Sequence, residues 1–313
     1  ASVAYSRSVS DEPRDRNNVQ NPFRAIYQNN SYTPVFQLDE NGDVTFDENG
    51  DPVYQTDGLQ FGFNTVNALI TIPEITVQNL TFFNSYANVK FSDRWNYRLQ
   101  YSLNHENFRR EVYNQPGSTL EDIIGDPDFP GTKTDNGFQT IDYTLSNTIN
   151  YTLAGENGHN FNSYGLFEYN FRETNSYTVS SRGFPSTLLS TQVNAAEQTN
   201  GSTGRSRLTL VSYGAFANYD YKQKYILAAS GRYDGSSNFG ADNQFGFFYS
   251  GSAAWNVAKE DFFAVDWIED LKIRGSYGTV GNRGALGNYA SQGTVVFGQY
   301  PGGSSTIPAN IAN

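Results

Sequence analysis

The chain has 313 residues, a mean hydropathy of -0.57 and a formal net charge of -11 at pH 7. No apolar run approaches the ~18 residues that a membrane-spanning helix needs, so the sequence excludes a helical membrane protein. The absence of cysteine excludes a disulfide framework and thiolate chemistry, and the acidic balance argues against nucleic acid as a partner because phosphates require a basic surface.

The first part of the chain contains one predicted strand and one acidic loop. Ser2 to Ser8 has the composition of a strand, and Asp39 to Asp51 contains the sequence Asp-Glu-Asn-Gly-Asp twice. Asn-Gly flanked by alternating apolar residues predicts a hairpin. A calcium loop remains the alternative, although it would need glycine in the sixth position and here Gly42 and Gly50 come fourth. We therefore expect a solvated hairpin without a metal.

From Trp95 to Val280 the chain repeats segments in which apolar and polar side chains alternate. Strand side chains point to opposite faces with period two, so each segment has one apolar and one hydrophilic surface. The segments are longer than typical strands of globular proteins and long enough to cross a bilayer. They are Trp95 to Leu103, Ile141 to Tyr151, Tyr225 to Asp234, Phe245 to Val257 and Leu271 to Tyr277.

The connectors between these segments alternate in length. Short links are predicted near 92–94, 155–158 and 220–224, whereas Asn114 to Asn136 and Ser181 to Gly204 are long and polar. Aromatic residues crowd the short-link ends, as membrane interfaces favour. This layout is typical of an outer-membrane barrel with short periplasmic turns and long extracellular loops. A soluble β-sandwich is the alternative that shares the alternation but not the connector asymmetry.

About nine or ten strands are predicted, and an open antiparallel sheet of this kind would leave unsatisfied edges in lipid. Gly302 to Asn313 has the composition of an irregular stretch rather than a finishing strand. We expect an all-β chain, a transmembrane antiparallel β-barrel fragment in which residues 1–313 supply part of a larger wall.

Three stretches carry a more specific pattern: residues 221–240, 243–263 and 270–282. In order and spacing they resemble the barrel of SusC/RagA-type TonB-dependent transporters. The matching residues are Arg232, Asp234, Gly235, Ser236, Ser237, Phe239, Gly240, Gly246, Phe248, Ser250, Trp255, Leu271, Lys272, Arg274, Ser276, Tyr277, Gly278, Gly281 and Asn282.

The resemblance implies a barrel of about twenty-two strands in the outer membrane of a Gram-negative bacterium, with an N-terminal plug domain and C-terminal strands outside this chain. It implies active import of an oligosaccharide or peptide, energised through TonB by way of the N-terminal region, with a SusD-like surface lipoprotein as partner. Two other functions stay open from the residues: a secreted carbohydrate-binding or adhesive β-sandwich protein, and a passive porin.

The motif residues have structural roles in this interpretation. Arg232, Asp234, Lys272 and Arg274 are expected on the lumen side, where opposite charges on neighbouring strands can pair. No enzymatic motif, cofactor or metal site is predicted, and the two histidines, His105 and His159, lack zinc-site spacing.

Ligand contacts are expected from the loops: the surroundings of Phe138, Ser181 to Asn200, and Gly281 to Pro301. Aromatic residues there, such as Phe184 or Tyr300, are candidates for stacking on sugar rings.

Overall fold

The computed structural model describes residues 1–11, 21–59, 64–240, 244–263, 265, 267–281, 287–289, 294–299 and 306–312. Its strands are β1 (Ser2–Asp11), β2 (Glu74–Lys90), β3 (Trp95–Asn114), β4 (Thr132–Glu156), β5 (His159–Arg182), β6 (Glu197–Tyr221), β7 (Tyr225–Ser236), β8 (Phe245–Asn256), β9 (Lys272–Gly278), β10 (Thr294–Gln299) and β11 (Thr306–Ala312). Its helices are α1 (Pro22–Gln28), α2 (Thr65–Thr71) and α3 (Thr119–Ile124). Strands β1 to β9 form one sheet in chain order with antiparallel neighbours, which confirms the predicted all-β class.

The end of the chain differs from the sequence prediction. Gly302 to Asn313 was expected to be irregular, but β11 pairs with β10 in a separate two-stranded sheet. The stretch is rich in glycine, serine and asparagine, which predicts irregular structure. It also contains the β-branched residues Thr306, Ile307 and Ile311, which favour strands. The three short helices were also not predicted, and none of the described helices is long and apolar enough to cross a membrane.

Tight turns at one end of the sheet fix the register of the long strands. Asn157 and Gly158, between β4 and β5, both have positive φ, as a two-residue hairpin turn requires. Lys222 and Gln223 adopt the same left-handed region between β6 and β7, which residues other than glycine rarely do. Asp220 stabilises that turn, because its Oδ1 accepts a hydrogen bond from the Gln223 backbone N–H at 3.0 Å.

The register places the alternating side chains of β2 to β9 on two opposite faces. One, the apolar face, carries rows of aligned residues such as Tyr101, Leu145 and Tyr169. The other, the polar face, carries rows such as Ser102, Thr144 and Asn170. The alternation predicted from the sequence is therefore in phase across neighbouring strands, and each face is continuous.

The apolar face has a limited height along the strands. On β5 it runs from Phe161 to Phe171, which matches the length of about nine to eleven tilted residues that crosses a bilayer. At the tight-turn end it is bordered by aromatic residues, where the ring centroids of Trp95 and Tyr151 lie 4.8 Å apart. We call this region the apolar belt.

At its other end the apolar belt gives way to ion pairs on the same face. Glu173 on β5 binds Arg205 and Arg207 on β6. Further along, the Lys133 ammonium lies 3.3 Å from carboxylate oxygens of both Glu111 and Asp135. Charged pairs are costly in hydrocarbon and ordinary in water, so strands β3 to β6 extend well past the belt on the side of the long connectors.

The long connectors pack against these strand extensions. Phe184 is only 1% exposed, and its ring meets that of Tyr113 edge-on at 5.2 Å. The Tyr113 hydroxyl donates to the Ser186 carbonyl at 3.0 Å, and Asn67 on α2 accepts two hydrogen bonds from Thr119 on α3. The prediction that Phe184 stacks on a sugar is therefore wrong, since burial against Tyr113 leaves its ring no free face.

The predicted acidic hairpin is a three-segment coil with an eight-residue repeat. The backbone N–H groups of Thr45, Val53 and Gln37 donate to the carbonyls of Gln37, Thr45 and Val53 respectively, at 2.9 to 3.0 Å. Asp39 closes one corner by accepting from the N–H groups of Asn41 and Asp43 at 2.8 and 2.9 Å. Asp47 repeats this arrangement with Asn49 and Asp51. These backbone bonds lower the pKa of both aspartates, and across the described ranges no group of acidic residues or histidines is arranged to hold a metal.

The two faces predict opposite responses to a new charge. Leu145→Arg places a guanidinium in the apolar belt, and we expect it to lower the free energy of unfolding of the full-length protein by about 2–4 kcal/mol, the cost of a charge near the bilayer midplane. Ser102→Arg, on the polar face of the neighbouring strand, is the matched control with little expected effect. Denaturant titration in lipid vesicles measures both, and equal losses would contradict the assignment of the faces.

Candidate functional site: a pocket built by the motif residues

Motif residues from β7, β8 and the connectors that follow β7 and β9 meet around one pocket on the polar face. The pocket has a volume of about 770 Å³ and lies near the ends of β7, β8 and β9. Its lining includes Arg232, Asp234, Gly235, Ser236, Phe239, Gly246, Phe248, Ser250 and Gly281 from the motif, together with Glu168, Leu210, Ser212 and Phe216 from β5 and β6. Residues far apart in sequence thus converge on one place, which the sequence pattern alone did not reveal.

Arg232 is held in the pocket by two neighbours. Its Nε donates to the Asp234 carboxylate oxygens at 2.7 and 2.9 Å, and its Nη2 donates to the Ser212 hydroxyl at 3.0 Å. The expected pairing of opposite charges thus occurs within one strand, since side chains two residues apart share a face. The cross-strand contact is instead made by Ser212.

Glycines in the motif make room for aromatic rings. A Cβ at Gly246 would lie 3.0 Å from the Phe248 ring, and one at Gly281 would lie 2.4 Å from it. A Cβ at Gly214 would likewise lie 2.9 Å from the Phe216 ring. The rings of Phe248 and Phe216 therefore lie against glycine backbone and form the apolar walls of the pocket.

Two further motif residues join the strands near the pocket. Ser237 exchanges hydrogen bonds with Thr209 on β6, its N–H donating to the Thr209 carbonyl and its Oγ accepting from the Thr209 N–H, both at 3.0 Å. Gly278 ends β9 opposite Ser250. Gly240 lies in the connector between β7 and β8, and Asn282 falls outside the described residues.

The remaining motif residues lie elsewhere. Tyr277 is on the apolar face with its ring 6.4 Å from that of Tyr249. Lys272 and Arg274 are exposed on the polar face, opposite Asn256 and Ala254, and neither forms an ion pair with any residue that the structure describes. They are separated along the strand from the pocket.

Trp255 belongs to a cluster at the tight-turn end. Its indole N–H donates to Glu260 Oε1 at 2.9 Å, and the Tyr225 hydroxyl donates to the same oxygen at 2.6 Å. The Lys224 ammonium lies 3.2 Å from Glu260 Oε2. These donors, with the Tyr225 hydroxyl the strongest, lower the pKa of Glu260 to about 2. Glu260 thus ties the connector after β8 to β7, a role that the sequence could have suggested from its place five residues after Trp255.

The residues expected to contact ligand are dispersed. Phe138 is a strand residue on the polar face of β4, stacked on Phe108 at 5.1 Å, rather than a loop residue. The stretch Ser181 to Asn200 includes the start of β6, and Tyr300 falls outside the described residues. His159 starts β5, where its Nδ1 lies 2.7 Å from the Tyr219 hydroxyl, and His105 pairs with Gln139 within β3 and β4.

The chain matches one protein-family model over residues 4–311, described as TonB dependent receptor-like, beta-barrel. TonB-dependent receptor P26 of Formosa agariphila is 30% identical over 264 residues, covering 78% of this chain and 26% of the relative. The receptor SusC of Bacteroides thetaiotaomicron is 35% identical over 114 residues, covering 35% of this chain and 11% of the relative. The chain therefore spans about a quarter or less of these relatives.

A solved structure has the same fold. The RagAB peptide importer in its closed-closed state superposes with a TM-score of 0.74 at 18% sequence identity, covering 99% of this chain and 34% of the other. At this identity the likeness supports the fold alone. The nine-stranded meander is thus an arrangement already seen in part of a larger chain.

The cluster around Glu260 predicts a stability difference that depends on pH. Glu260→Ala removes the acceptor of the Trp255 N–H and of the Tyr225 hydroxyl, and it leaves the Lys224 ammonium with only the exposed Asp261 at 3.4 Å. We therefore expect a lower midpoint of thermal unfolding of the full-length protein at pH 7. Because folding lowers the pKa of Glu260 from 4.5 to about 2, its stabilisation is complete above about pH 4.5 and is lost as the pH falls through about 2.

Glu269→Ala is the control, since Glu269 is exposed in the same connector. Thermal unfolding is followed by circular dichroism between pH 7 and pH 1. An equal loss in both variants, or a difference that persists below pH 2, would contradict the role of Glu260.

Proposed function

The chain belongs to the TonB-dependent receptor-like β-barrel family, and on this premise we propose that it forms part of the wall of a nutrient importer in the outer membrane of a Gram-negative bacterium. The resemblance to SusC/RagA-type transporters, noted from residues 221–282, is confirmed by the family match and by the relatives. We propose that the complete receptor is a transporter and not an enzyme.

One observation supports this function most directly: a single continuous sheet has an apolar belt of bilayer height on one face and hydrogen-bonding side chains on the other. A barrel wall needs both, because lipid lies outside and water inside. A secreted β-sandwich would divide its strands between two packed sheets, whereas β1 to β9 form one. The structure therefore favours the barrel over the adhesive or carbohydrate-binding sandwich.

The apolar belt also sets the orientation that we propose. Tight turns would lie in the periplasm, and the connectors that pack around Phe184 and α3 would lie outside the cell. In this orientation Glu173, Arg205 and Arg207 stand at the outer edge of the bilayer. The pocket at Arg232 opens into the lumen.

We further propose the organisation that the family resemblance implies for the complete receptor. Residues 1–313 would be one part of a barrel of about twenty-two strands, with a plug domain inside it that couples to TonB. A SusD-like lipoprotein would cover the extracellular mouth. The similarity to the receptor SusC and the fold shared with the RagAB peptide importer support this organisation.

The proposed cargo is an oligosaccharide or a peptide. The RagAB assembly is a peptide importer, and the polar face of this chain offers hydrogen-bond donors and acceptors suited to either class. A passive porin would share the wall but need no energy. Dependence on TonB is therefore the property that separates the two.

Uptake assays in the native bacterium test the proposal. Labelled oligosaccharides and peptides are supplied to cells with and without this gene, and to cells in which TonB is inactivated. We expect the gene deletion and the TonB inactivation to abolish uptake of the same cargo. Uptake that needs the gene but persists without TonB would indicate a passive pore and contradict active import.

A further inference from the structure

The polar face carries several carboxylates, and nearly all of them have a hydrogen-bond donor beside them. The described pairs are Glu74 with Arg110, Glu106 with Gln78, Asp142 with Arg172, Asp220 with Asn160, and Asp234 with Arg232. Glu168, half-buried in the middle of β5, has no hydrogen bond or ion pair with any described residue. Among the described carboxylates of this face it is therefore the exception.

Glu168 lines the pocket at Arg232. In the register it lies opposite Ser212, which in turn lies opposite Asp234. Arg232 does not serve as its partner, because the guanidinium is engaged by Asp234 and Ser212. The pocket therefore holds one cation and two carboxylates, and the surplus negative charge is at Glu168.

The walls of the pocket suit a cation as well. Phe216 and Phe248 both line the cavity, and the Phe216 ring is stacked on Tyr164 on one side, with the centroids 4.4 Å apart. Aromatic faces attract ammonium and guanidinium groups, and this attraction adds to that of a carboxylate in a partly desolvated site. The volume of about 770 Å³ is ample for a lysine or arginine side chain.

We propose that this pocket binds the basic side chain of a polypeptide in the lumen, with the lysine or arginine head group on Glu168 and its stem against Phe216 and Phe248. The polypeptide could be cargo or a segment of the receptor itself, and both present the same chemistry. The inference rests on the proposed function in one respect only, that the polar face lines the lumen.

Two measurements on the full-length receptor in detergent, peptide binding and stability to urea, distinguish cargo from the receptor itself as the source of the basic side chain. The variant is Glu168→Gln, and Glu106→Gln is the control because its partner Gln78 is neutral. The probes are a dye-labelled Gly-Gly-Arg-Gly peptide and the same peptide with norleucine in place of arginine. Fluorescence anisotropy gives the dissociation constants, and urea titration gives the unfolding midpoint at low and high salt.

If cargo supplies the cation, Glu168→Gln should raise the dissociation constant of the arginine peptide about tenfold and leave that of the norleucine peptide unchanged. Glu106→Gln should change neither constant. If the receptor supplies it, Glu168→Gln should instead lower the unfolding midpoint by an amount that shrinks in high salt. Glu168→Gln behaving like Glu106→Gln in both measurements would overturn the inference. Uptake is measured separately, so the transporter assignment can survive that result.

Discussion

Backbone hydrogen bonding in the absence of water is the constraint on which the rest of this structure depends. In hydrocarbon every N–H and C=O must find a protein partner, and a sheet satisfies this only when each strand is bonded on both sides. Strands β2 to β8 meet that condition within the chain. Because strand geometry alternates side chains between faces, the same bonding forces a period of two on the sequence, with apolar residues toward lipid and polar residues away from it.

The period of two explains why much of the fold could be predicted. The alternation in Trp95 to Leu103 and in Ile141 to Tyr151 identified strands and faces correctly, because each residue must go to one face or the other. The extent of the strands could not be predicted in the same way. Beyond the apolar belt both faces of β5 and β6 are polar, so the sequence of 197–204 resembles a loop although it is paired strand.

Many residues of the candidate site could be predicted from the sequence, but the pocket that they form could not. The motif around Arg232 and Gly281 stands out in the sequence, yet the convergence of its residues on one pocket depends on the register between β7, β8 and β9. Glu168 gave no signal at all, since a single glutamate in an alternating strand is unremarkable until its neighbours are known. Phe184 was misjudged for a related reason, because an aromatic residue in a long polar stretch can equally well anchor the loop.

The central claim is that one face of this sheet meets lipid over a limited height. The absence of cysteine allows single cysteines to be introduced and spin-labelled without background. In vesicles containing the full-length protein, labels at positions 143, 145 and 149 should collide with oxygen dissolved in lipid, and labels at 144, 146 and 148 should collide with a water-soluble nickel complex. Labels at 175 and 177, beyond Glu173, should meet the nickel complex although they share the face of the apolar belt. Nickel accessibility at every one of these positions would contradict the account.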